Sequence, residues 1–270
     1  MIKEKKHLIP YIIQFIVYFL LFWLIAGLIA GSSKTGLLII TIIYAFTFLF
    51  AFSPVVEIRW RIVNGIRPLR LKSEKDRLIQ LFNDVYAEVR KANPKINSDI
   101  KLYISEDIEV NACAFGRHTI VLNRGSIELT SDEGIKGLIA HEFGHISNLN
   151  THLDLFSNVS NLFMAIFAPN YFRLLKKGDN IIAALILSVV FFVPVTIKLI
   201  SDVILLSVNR KQEYEADSFA VRIGYGHELA DILNQIYHVS FGKAPSVREL
   251  LNSTHPPITM RIERVEDVIY

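Results

Sequence analysis

The chain has 270 residues, 51% of them hydrophobic, and its mean hydropathy of +0.36 exceeds that of an ordinary water-soluble domain and puts a membrane class first. A net charge of +3, with basic residues gathered beside oily segments rather than on an aromatic-interleaved face, argues against a nucleic-acid partner. The single cysteine, Cys113, excludes an intramolecular disulfide and reads as a small hydrophobe near a strand.

In chain order, Ile9 to Ala30 is almost wholly apolar, broken only by Gln14 and Gly27. That is the length a helix needs to cross a hydrocarbon core of about 30 Å, and it exceeds the core of a cleavable signal. A polar turn, Gly31 to Gly36, leads into a second expected span, Leu37 to Val56. Lys3, Lys5 and Lys6 precede this hairpin; Arg59, Arg61, Arg67, Arg70 and Lys72 follow it, and only Lys34 lies between. Such an asymmetry directs both ends to the cytoplasm.

The polar region after it reads as α+β. Ser73 and Asp76 open a helix in which Leu78, Ile79, Phe82, Val85, Tyr86 and Val89 recur at helical spacing until Asn93-Pro94, as an imperfect capping box and a stop signal dictate. Strands are expected over Ile100 to Ile104 and Thr119 to Leu122, and Thr130 with Glu133 forms a capping box for the next helix. Beyond it, Leu153 to Phe172 carries Asp154, Asn158, Asn161 and Pro169 and is a poor span, whereas Ile181 to Val208, kinked at Pro194, is long enough. The basic loop Arg173 to Asn180 between them opposes the charge rule, yet a full second hairpin is favoured. The resulting division is 1–56, 57–150, 151–208 and 209–270: a membrane hairpin, the first part of a catalytic domain, a second hairpin, and the domain's second part.

Within the helix after Thr130 stands His141-Glu142-Phe143-Gly144-His145. Residues four apart share a helical face, so His141 and His145 offer two imidazoles to one metal ion, and Glu142, about 100° around from His141, reaches a water beside it. Zinc lowers the pKa of bound water to about 7 and polarises a peptide carbonyl, while such a glutamate relays the proton to the leaving amine. With eight histidines, a chance match to the spacing is on the order of one in a hundred, so a third ligand is needed. In Arg210-Lys211-Gln212-Glu213-Tyr214-Glu215-Ala216-Asp217, Glu213 and Asp217 share one face and Glu215 lies about 200° away. Glu213 on the metal and Asp217 accepting the other ring N–H of a ligand histidine is a natural division. An even number of crossings between His145 and Glu213 keeps them on one side of the membrane.

These motifs, with Asn111 to Gly116, Asn123-Arg124-Gly125 and Thr254-His255-Pro256-Pro257 plus Arg261, resemble the HtpX-like and CAAX-prenyl-protease-like membrane zinc metallopeptidases of the gluzincin type. The resemblance runs from the first hairpin to Arg264, and four spans rather than seven are more similar to the HtpX-like branch. It implies a mostly helical metallopeptidase domain with a small β-sheet, anchored by about four transmembrane helices in two hairpins. It implies one Zn(2+) per chain held by His141, His145 and Glu213, Glu142 as general base and Asp217 behind the ligands. Ile120, Val121, Leu122 and Asn123 would be the edge that pairs with an extended substrate, and His255 or Arg261 would touch substrate or the developing oxyanion. Asn209, where the family often has Ser, and Leu149-Asn150, where it often has Arg-Asp, depart from the pattern without touching the ligand set.

The expected function is a multi-pass plasma-membrane zinc endopeptidase with its catalytic domain facing the cytoplasm, the lipid bilayer around it and protein or peptide substrates, membrane proteins among them, in quality control or processing. Competing readings are a CAAX-type prenyl-protein protease, an intramembrane protease, opposed by Asp132, Glu133 and Lys136 in the motif helix, and a non-catalytic zinc-binding scaffold or sensor, opposed by retention of Glu142. His118, His152, His227 and His238 read as structural or surface residues.

Overall fold

The computed structural model describes residues 34–51, 53–148, 150–151, 208–239 and 255–269, with Ile16, Phe19 and Leu20. Two units are distinct: Met1–Ser53 with Leu153–Leu205, and Pro54–His152 with Leu206–Tyr270. The spans expected over Ile9 to Ala30, Leu153 to Phe172 and Ile181 to Val208 lie outside the described residues, apart from Ile16, Phe19, Leu20 and Val208.

In the first unit, α1 (Lys34–Ala51) exposes Leu38, Ile42, Phe46 and Leu49, which recur at helical spacing, and Phe46 stacks on Phe50. The span expected over Leu37 to Val56 is not one helix. It ends at Ala51, the Ser53 amide bonds back to Phe50 O at 2.9 Å, and Pro54 starts the next helix, a position its fixed φ and missing N–H suit. Eighteen residues rise about 27 Å, and among the described residues no helix is long and apolar enough to cross a membrane.

The second unit comprises α2 (Pro54–Val63), β1 (Arg67–Pro68), α3 (Lys72–Ala92), β2 (Lys101–Ser105), β3 (Ala112–Phe115), β4 (Thr119–Asn123), α4 (Arg124–Leu129), α5 (Asp132–Ser147), α6 (described over 208–222), α7 (Gly226–Val239) and α8 (Ile258–Ile269). The described elements are mostly helical beside one small sheet. Its order is β1-β2-β4-β3, with β2 and β4 parallel and both flanking pairs antiparallel.

Helix α3 starts without a side-chain cap, after Leu71, not at a Ser73 capping box. It buries Leu78, Phe82, Val85, Tyr86 and Val89, and the Tyr86 ring stacks on Phe143 of α5 with centroids 5.0 Å apart. Capping of α5 comes one residue later than expected: Ser131 Oγ accepts from Gly134 N at 3.1 Å, because the Thr130 hydroxyl is spent on Ser126 O. Helix α5 is buried on nearly all sides. At Gly137 an added Cβ would fall 2.7 Å from the α7 backbone at Glu228, so absence of a side chain there permits α5 and α7 to touch.

Candidate metal centre

Helix α5 turns His141 and His145 toward α6, and Gly144 sets how near the two helices come. A Cβ at Gly144 would lie 2.7 Å from Ala216 Cα and 2.9 Å from Ala216 O, contacts no real side chain tolerates. This approach brings His141, His145 and Glu213 together, each offering one ligand atom within 4.8 Å of the others. The ring nitrogens His141 Nε2 and His145 Nε2 are 3.1 Å apart. From Glu213, Oε2 lies 3.4 Å from the first and Oε1 3.5 Å from the second.

Each ring is held from behind. His141 Nδ1 is 2.9 Å from Asp217 Oδ1, which leaves Nε2 with the lone pair that a metal needs. His145 Nδ1 faces the buried Asn150 amide, 3.4 Å from Nδ2, while Asn150 Oδ1 is buried without a hydrogen-bond partner. Turning the amide by half a rotation, which exchanges its oxygen and nitrogen within the same shape, lets Oδ1 accept from Nδ1–H and frees the second Nε2 as well. Arg261 forks onto Asp217, Nε to Oδ2 at 2.9 Å and Nη2 to Oδ1 at 2.7 Å, and its Nη1 stands 3.1 Å from Glu213 Oε2.

The electrostatics follow from this crowding. Burial and the Arg261 charge disfavour protonation of His141, yet hydrogen bonds to Asp217 and Glu213 outweigh both and push its pKa up to about 10. Burial alone would raise the Glu213 carboxyl, but the three imidazoles of His141, His145 and His255 hold it well below the usual carboxylate range. Asp217 is lowered too, as His141 and Arg261 overcome its burial. Glu142, Glu213 and Asp217 are thus buried carboxylates, and Arg261 is the cation in contact with the last two among the described residues. A buried anionic surplus of this kind calls for a further positive charge. A divalent cation held by His141, His145 and Glu213 would supply it with both rings neutral.

The donor set therefore fits a metal. Two imidazole nitrogens and one carboxylate are the ligand types and the number that a catalytic zinc takes. Glu213 Oε2 is buried, and its ion-pair contacts with Arg261 Nη1 at 3.1 Å and His141 Nε2 at 3.4 Å lack hydrogen-bond geometry, so a lone pair is left for a cation.

Two expectations need correcting. Ile120 to Asn123 is no edge: β4 is bonded to β2 on one side and β3 on the other, with Ile120, Val121 and Leu122 wholly buried. The edge beside the site is β3, whose Cys113 thiol is pushed up to about 12 by burial and by the Glu142 charge. Arg261, expected to face substrate, is 11% exposed and committed to Asp217 and Glu213; its fork is filled by carboxylate oxygens and has no free edge for an oxyanion. His255, by contrast, is 62% exposed, with Nδ1 3.0 Å from Glu213 Oε1, and stands at the rim. Asn150, the Gly144–Ala216 approach and β3 were not assigned roles from the residues alone. The usable signals were a polar side chain five residues after His145 and a glycine inside a buried helix, where it costs about 1 kcal/mol unless a neighbour needs the space.

Residues 72–269 match peptidase family M48. Among similar proteins, the protease HtpX homolog of Bacteroides fragilis (strain YCH46) is 29% identical over 171 residues, covering 59% of this chain and 51% of that protein. The one from Dictyoglomus turgidum is 27% identical over 194 residues, covering 61% and 62%, and that from Streptococcus uberis 24% over 260 residues, covering 84% of each. The chain thus spans about half to two thirds of the length of the first two. The crystal structure of S. mikatae Ste24p aligns with a TM-score of 0.56 at 17% identity, over 96% of this chain and 66% of that one, a likeness of fold. The matched segment runs from α3 to α8 and contains both histidines, Glu142, Glu213, Asp217 and Arg261; the chain belongs to peptidase family M48.

Proposed function

We propose that the protein is a membrane-bound zinc endopeptidase that cleaves cytoplasm-exposed segments of membrane or unfolded proteins, in quality control or processing. The observation that carries this reading is the convergence of His141 Nε2, His145 Nε2 and Glu213 within 4.8 Å, with Glu142 buried on the same helix. His141, His145 and Glu213 would hold the ion, which when bound acidifies water and polarises a carbonyl oxygen. Glu142 takes a proton from the attacking water as its oxygen bonds to the carbonyl carbon, and returns it to the amine as the C–N bond breaks. Asp217, fixed by the Arg261 fork, keeps the His141 ring oriented. Strand β3, paired through Cys113 with Val121 and at the edge of the sheet among the described residues, aligns an extended substrate through backbone hydrogen bonds that tolerate many side chains.

The test is metal content and casein cleavage of the detergent-purified protein, with Glu142→Gln and Glu213→Ala beside it. The reading requires about one zinc per chain, cleavage lost but zinc kept in Glu142→Gln, and zinc weakened in Glu213→Ala. Cleavage that survives Glu142→Gln overturns it.

A further inference from the structure

The turn between β3 and β4 is held by a carboxylate that comes from sixty residues upstream. Glu57 on α2 is 4% exposed, and both its oxygens are taken. Oε1 accepts from Arg117 N at 2.8 Å and meets His118 Nδ1 at 3.1 Å; Oε2 accepts from His118 N at 3.3 Å and from the Thr119 hydroxyl at 3.1 Å. Successive backbone N–H groups aimed at one anion form a concave cradle, and here a side chain of the same chain occupies it. Gly116, at φ +64°, shapes that cradle, and a Cβ there would collide with the Glu57 carboxyl.

Two further contacts fix α2 to the hairpin. Trp60 stacks on Phe115 of β3, centroids 4.1 Å apart and 9° from parallel. Arg61 donates to Thr119 Oγ1 at 2.7 Å and lies over the Tyr103 ring. The same turn is tied on its other side: the Thr151 hydroxyl donates to Gly116 O at 2.6 Å, next to Asn150, whose amide meets His145. A three-residue reversal needs no buried carboxylate to form, and burying one costs free energy unless every oxygen is met. Bonds on this scale aimed at one end of an edge strand serve to fix where that strand lies.

We infer that Glu57 is a positioning residue for substrate, holding β3 in register beside Glu142 through the Gly116–Thr119 turn. This rests on the proposed pairing of substrate with β3. Without the clamp β3 keeps its bonds to β4 but loses the fixed placement of its open edge, so affinity for extended chains falls while the proton-transfer machinery on α5 is untouched.

Binding is read separately from cleavage by using Glu142→Gln as the background and measuring anisotropy of fluorescein-labelled unfolded casein with zinc present. Adding Glu57→Gln, which keeps the volume but replaces an acceptor by a donor, should weaken binding about fivefold or more, the scale of one ordinary hydrogen bond, with zinc content unchanged. Thr119→Val should do the same more mildly and Thr119→Ser should restore it; that pair decides if Glu57→Gln fails to fold. In the cleaving protein, KM for casein should rise while kcat stays within about twofold, and a blocked tripeptide should be little affected. Unchanged casein affinity, or a loss of kcat equal for long and short substrates and proportional to folded protein, overturns the inference. So does an absence of casein binding by Glu142→Gln itself. A wild-type protein that binds casein but never cleaves it would overturn the endopeptidase reading and leave the clamp standing.

Discussion

The rear and the front of the candidate metal centre are built differently. At the rear, Arg261 ties Asp217 and the ligand Glu213 together by charged contacts between 2.7 and 3.1 Å with almost no solvent. In front stand β3, the edge of the sheet among the described residues, and His255, mostly exposed. A dry lattice fixes geometry because each member is over-determined and each loss strands a charge, whereas an open edge adapts to what it binds. Metal affinity should therefore be governed from the rear and turnover of substrate from the front.

The sharpest separation comes from Glu142→Gln, which should lower kcat by about 10²–10⁴-fold with zinc retained, the range for loss of a general acid–base group; metal analysis beside steady-state kinetics reads both. Arg261→Ala should break the rear, leaving Asp217 and Glu213 buried without their guanidinium at a cost of about 3–5 kcal/mol, seen as a lowered unfolding midpoint in the metal-free protein. Asp217→Asn keeps the shape but removes the acceptor charge, and zinc affinity should drop about 10- to 100-fold in a chelator competition. Gly144→Ala should cost about 1–3 kcal/mol through the collision with Ala216; an unaltered melting curve would mean that α5 and α6 do not approach so closely.

The smallest effect is at Cys113. Its pKa is raised to about 12, by burial and then by the Glu142 charge. A raised thiol pKa means less thiolate at pH 8, so alkylation should be far slower than for a free cysteine. The rate should climb with pH toward that value, and Glu142→Gln should speed it slightly by removing the second cause. Rapid labelling at pH 8 would break the placement of β3 against α5.

Legibility from sequence followed the range of the interactions concerned. His141, Glu142, His145, Glu213 and Asp217 sit at spacings that repeat within one helix, so local periodicity was enough to nominate them, and the core face of α3 was visible for the same reason. What lay between elements was not. Ile120 to Asn123 alternates no more clearly than Ala112 to Phe115, and only the pairing order tells which is central and which is edge. Arg261 reads as a substrate or oxyanion contact because Asp217, which it forks onto, is 44 residues away. Glu57 carries no local signal, since the amides that donate to it belong to a turn sixty residues on. Pro54 did carry a local signal, a helix start, that the hydropathy of Leu37 to Val56 masked.

The central claim, an ion held by two imidazoles and one carboxylate, is tested most directly by X-ray absorption at the zinc edge of the zinc-loaded protein and of Glu213→Ala. The account predicts nitrogen and oxygen donors only, at about 2.0–2.2 Å, with two imidazole scattering patterns in both samples and a changed oxygen shell in the variant. A sulfur donor at about 2.3 Å, or a spectrum that Glu213→Ala leaves unaltered, would contradict it.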